Sequence, residues 1–62
     1  MRITEKTLVD HIVRTNTDTL PIFWNYGMFY VGGPVRNYQT VAEICALFGV
    51  NKEEFLLDLK SA

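Results

Sequence analysis

The sequence predicts an all-α fold: one small domain over residues 1–62, built of four short helices with a long glycine-rich loop between the second and third. Three observations carry that prediction. Thr7-Leu8-Val9-Asp10, Thr40-Val41-Ala42-Glu43 and Asn51-Lys52-Glu53-Glu54 each place a short oxygen-bearing side chain at an N-cap, with an acid three residues on. The residues after each cap recur at helical spacing, apolar on one side and charged on the other. Gly27 and Gly49 stand where two of the helices must stop.

The first helix is predicted from Thr7 to about Arg14, with Leu8, Val9, Ile12 and Val13 as its apolar face. The polar stretch Thr15-Asn16-Thr17-Asp18 breaks it and starts the second, which runs from about Asp18 to Tyr26. Pro21 is tolerated because it falls in the first turn, where backbone N–H groups lack intrahelical acceptors. Thr40 to about Phe48 forms the third helix, with Val41, Ile44, Cys45 and Phe48 facing inward. Asn51 caps the fourth, which continues to about Lys60 and buries Phe55, Leu56 and Leu59. Leu47 and Leu57 fall off the core faces. The second helix is apolar nearly all round, so it is either enclosed by the others or covered by another chain.

Composition narrows the function classes. A chain of 62 residues has a marginal core unless something staples it or a second subunit adds to it. With one cysteine it can form neither an intramolecular disulfide nor a cysteine-based zinc site. Six basic against seven acidic side chains remove the electrostatic footprint of a nucleic-acid binder. No apolar run approaches a membrane span, and the polar start is not followed by the apolar stretch of a signal peptide. A lone thiol fits a reducing compartment, so the expected location is cytoplasmic.

Residues 27–39 form the odd segment. Thirteen residues with neither cap nor period is a long connection in a domain this size, and such loops are functional or carry local structure of their own. The phrase Leu20-Pro21-Ile22-Phe23-Trp24-Asn25-Tyr26-Gly27-Met28, the glycine-rich turn, the Thr40-Val41-Ala42-Glu43 start and the closing Gly49-Val50-Asn51-Lys52-Glu53-Glu54-Phe55-Leu56 together resemble one family. It is the hybrid-cluster-protein-associated redox-disulfide domain, and the likeness extends from about Ile3 to Lys60. A more distant likeness is to the N-terminal domain of iron–sulfur cluster repair proteins. The family pattern carries Cys-x-Gly-Cys at the turn; this chain has Tyr30-Val31-Gly32-Gly33 there. The resemblance therefore implies the family's helical fold without its dithiol chemistry.

Each residue with chemical potential also has a plainer reading. Cys45 lies on an apolar helix face and reads as a buried small hydrophobe rather than a reactive thiol. His11 sits toward the polar side of its helix, with no second histidine to make a metal pair. Gly32-Gly33-Pro34, with Arg36 behind and the Thr40 cap ahead, reads as a turn; the competing reading is a backbone nest for an anion. The aromatics Trp24, Tyr26, Phe29, Tyr30 and Tyr38 either complete a small core or form a binding surface. Glu53, Glu54 and Asp58 read as a solvated face.

The functional expectation is a non-enzymatic interaction module, a cysteine-free relative of a redox-disulfide domain. No cofactor, no metal and no catalytic residue is expected. The expected binding surface is the altered turn: Met28, Phe29, Tyr30, Gly32, Gly33, Pro34 and Arg36. The expected partner is a second copy of the chain or a redox or iron–sulfur-related protein, not nucleic acid or membrane. The competing expectation is a redox or iron–sulfur accessory role through Cys45, by an intermolecular disulfide.

Overall fold

The computed structural model describes residues 2–62, and within them the chain is all-α. The helices are α1 (Val9–Thr15), α2 (Leu20–Asn25), α3 (Val41–Phe48) and α4 (Lys52–Lys60), with a 3₁₀ turn, Thr17–Thr19, leading into α2. No strand forms among the described residues; the nearest approach is an isolated antiparallel bridge between Leu8 and Thr40. No helix is long and apolar enough to cross a membrane.

Two of the three N-caps stand as read. The Thr40 hydroxyl accepts from the Glu43 amide at 3.2 Å, and the Glu43 carboxylate accepts from the Thr40 amide at 2.8 Å, a complete capping box. The Asn51 side chain accepts from the Glu54 amide at 3.0 Å.

The third is corrected. Thr7 does not cap α1; its hydroxyl accepts from the Thr4 amide at 2.9 Å instead, closing a turn before the helix, and α1 begins after Leu8. The first amides of α1 are satisfied from far along the chain: Val9 donates to the Gln39 carbonyl (2.9 Å) and Asp10 to the Asn37 carbonyl (3.1 Å). In return Val41 and Ala42, at the start of α3, donate to the carbonyls of Thr7 (3.1 Å) and Glu5 (2.9 Å). Two helix beginnings thus supply acceptors to each other across the bridge, which answers the unpaired N–H groups every helix start presents.

The 3₁₀ turn opens on Asn16, whose side chain accepts from the Asp18 amide at 3.1 Å. Thr19 is fully buried yet satisfied, since its hydroxyl donates to the Asn16 carbonyl at 2.7 Å. α2 ends in a Schellman arrangement: Met28 donates to the Phe23 carbonyl (3.1 Å) and Gly27 to that of Trp24 (3.0 Å). α3 ends alike at Gly49, with Val50 donating to the Cys45 carbonyl (2.9 Å).

The core gathers Val9, Ile12 and Val13 of α1, Phe23 of α2, Val41, Ile44 and Cys45 of α3, and Phe55 and Leu59 of α4. Phe55 is its centre. The rings of Phe23 and Tyr26 meet it edge-on, at centroid distances of 5.0 and 4.8 Å, a geometry favoured by the ring quadrupole. Leu8 and Phe48, assigned inward by spacing, lie at the surface instead. Leu8 is drawn out by its place in the bridge. α2 is largely enclosed: Phe23 is buried, and Leu20, Ile22 and Tyr26 pack half-buried against the core. Trp24 is exposed along one side, its indole N–H donating to the Val31 carbonyl at 3.0 Å.

Candidate functional site

The loop between α2 and α3 has two layers. Met28 and Val31, three residues apart, turn inward and are fully buried, 0% and 1% exposed. They complete the core that four short helices leave open. Met28 is therefore not part of a binding surface, contrary to the expectation, because the Schellman bond that ends α2 drives it beneath the loop. The residues between and after them form the outer layer. Phe29 is 76% exposed, Tyr30 50%, Val35 82% and Tyr38 68%.

Residues 30–33 make a hydrogen-bonded turn in which the Gly33 amide donates to the Tyr30 carbonyl at 3.3 Å. Gly32 occupies its third position with φ of 87°, as a type II turn requires. A Cβ added there would also stand 2.5 Å from Leu20 Cδ2. Gly32 is thus required by its backbone conformation, while the Leu20 methyl could turn aside. Gly33, Pro34 and Arg36 lie at the surface, as expected.

The outer residues bound an open, mainly apolar groove of about 490 Å³, with Phe29, Tyr30, Pro34, Val35 and Tyr38 supplying its apolar walls. Tyr38, Asn37 and Gln39 extend it beyond the turn that the sequence singled out. Tyr30 is held in place twice. Its ring stacks on Phe48 with centroids 6.1 Å apart, and its hydroxyl donates to Gln39 Oε1 at 2.9 Å. Arg36 is the one charged residue lining the groove; it reaches Asp10 at 3.7 Å, and Arg14 approaches the same carboxylate oxygen at 3.6 Å.

The amides at the start of α3 are not free to hold an anion. The amides of Val41, Ala42 and Glu43 are all engaged, by Thr7, Glu5 and Thr40 respectively. Among the described residues no group of three or more His, Cys, Asp or Glu side chains is arranged to hold a metal ion. His11 is exposed. Cys45 is 2% exposed. Burial pushes its thiol up, Lys52 pulls it partly back, and Glu53 adds to the rise. That is the environment of an inert thiol, since reactivity belongs to the thiolate.

Outside the groove, Tyr26 donates a short hydrogen bond to the Asp58 carboxylate. The phenol is pushed up to about 12, first by that bond, then by burial and the nearby negative charge of Asp58 and Glu54. Asp58 is thereby tied to the fold, whereas Glu53 and Glu54 face solvent as a charged helix surface.

No family model matches the chain, and neither a curated protein nor a solved structure matches it.

Proposed function

We propose that this protein is a non-enzymatic binding module whose working surface is the aromatic groove along residues 29–39, and that it is a cysteine-free relative of the redox-disulfide domains it resembles. The observation that carries the reading is the division of the loop. Met28 and Val31 are the loop side chains that join the core, while Phe29, Val35 and Tyr38 are left in water around one groove. Exposed apolar side chains scattered singly need no explanation, but a group lining one concavity marks an interaction site.

The turn supports the kinship. Tyr30 and Gly33 are the first and last residues of a hydrogen-bonded turn, which holds its end Cα atoms within about 7 Å. A disulfide needs about the same span. The turn has the reach of a dithiol site while holding no sulfur. The competing redox role would fall to Cys45, and its burial and raised thiol weigh against that role.

The test is photo-crosslinking in the cells that express the protein, with a benzophenone side chain placed at Phe29 or Tyr38 and, as controls, at His11 or Leu57. Adducts to protein are expected at the first two positions and not at the controls. Equal yields at all four positions, or none at any, would overturn the proposal.

A further inference from the structure

The outer edge of the groove carries a second feature besides its aromatic walls. Residues 36–39 run without helix or turn toward the bridge at Thr40. The carbonyls of Asn37 and Gln39 point at the start of α1, where Asp10 and Val9 donate to them. The peptide groups of Arg36 and Tyr38 make no such contact with α1, and bonding at every second residue is the pattern of an extended segment whose successive peptide groups alternate in direction. Among the described residues, nothing pairs with the backbone amide or carbonyl of either. The chain thus leaves a short unpaired strand edge along an apolar groove, and native proteins cover, charge or pair such edges.

The geometry points to a second copy of this chain as the occupant, pairing antiparallel through residues 36–38 about a two-fold axis at Asn37. The inference rests on the binding-surface reading above and names its partner. Three features make the edge self-complementary. In that register Arg36 faces Tyr38 of the other copy, and each of the two pairs exchanges two N–H···O=C bonds, so all four unpaired groups on each chain are satisfied. The same register brings Arg36 beside the opposing Tyr38 ring, so a guanidinium turned from its 3.7 Å contact with Asp10 makes a cation–π pairing repeated by symmetry. Finally, at their observed exposures Phe29, Tyr30, Val35 and Tyr38 offer about 500 Å² of side-chain surface per chain. Two copies would then bury at most about 1,000 Å², near the lower bound for a specific interface, as expected of a reversible dimer.

Two measurements on the full chain test this. Light scattering over a concentration series is expected to rise from the mass of one chain toward two. Tyr38→Pro, which deletes an amide with no intramolecular acceptor, is expected to hold the mass at one chain with α-helical circular dichroism unchanged, whereas Tyr38→Phe should still dimerise. Amide hydrogen exchange supplies the register and does not depend on any variant. Arg36 and Tyr38 should become protected as concentration rises, and Asn37 should not. A mass of one chain at every concentration overturns the pairing, as does protection that ignores this alternation. If the mass stays at one chain while the benzophenone at Tyr38 captures a different protein, the self-pairing fails and the binding-surface reading stands. If both experiments are negative, both fail.

Discussion

Met28 and Phe29 are adjacent in sequence and opposite in consequence, which makes the pair a direct test of the loop's two layers. Met28 is fully buried and Phe29 is 76% exposed. Truncating a fully buried Met to Ala costs about 2–5 kcal/mol, from lost transfer energy and the cavity left behind. A chain of this length has a total stability of roughly 3–9 kcal/mol. Met28→Ala therefore removes a large fraction of it, and at about 4–8 °C per kcal/mol the melting temperature should fall by roughly 10 °C or more. Phe29→Ala leaves no cavity and should stay within about 0.5 kcal/mol of wild type. Thermal and urea unfolding, followed by far-ultraviolet circular dichroism and by Trp24 fluorescence, measure both. Equal effects from the two substitutions, or a larger one from Phe29→Ala, would refute the division of the loop and with it the groove as a surface left over from folding.

Three further outcomes follow from the structure. Thr40→Ala removes one arm of the capping box and should cost about 1 kcal/mol in urea unfolding; Thr7→Ala, which breaks only an exposed turn, should cost less, and a reversed order would restore Thr7 as the α1 cap. Cys45 should resist thiol reagents in native buffer and react once urea unfolds the chain; rapid native labelling would revive the thiol-based role. The Tyr26 phenol is held above its unfolded value of about 10, near 12 in the folded state, so the stability it contributes is complete below pH 10 and is lost as pH climbs through that window. The difference in urea midpoint between wild type and Tyr26→Phe should accordingly be constant below about pH 10 and shrink above it; a difference that grows there contradicts the assignment.

Local signals were legible and distant ones were not. Thr40 and Asn51 are read correctly because their hydrogen-bond partners lie three residues on, within the same phrase of sequence. Thr7 carries the same local pattern, yet its helix finds acceptors on Asn37 and Gln39, some thirty residues away, and no spacing rule reaches that far. Phe48 fits the helical period of α3 but ends at the surface, where Tyr30, from the loop, stacks on it. The loop itself has no period to read. Its aromatic content flagged a site, but the segment offered no means of separating Met28 and Val31, which close the core, from Phe29, Val35 and Tyr38, which do not. Tyr38, which the sequence left open between core and surface, is set by folding around the groove with Phe29.

The exchange of acceptors between the beginnings of α1 and α3 has a consequence for how this protein reports on itself. The amides of Val9 and Asp10 belong to a helix by position, but their partners belong to the loop that carries the groove. Their rate of hydrogen exchange is therefore governed by opening of the loop and not by fraying of α1. Whatever occupies the groove and holds residues 36–39 in place will slow exchange at these two sites, which touch nothing bound there. A spectrum of the first helix thus serves as a gauge of occupancy some distance away, readable before any ligand has been identified.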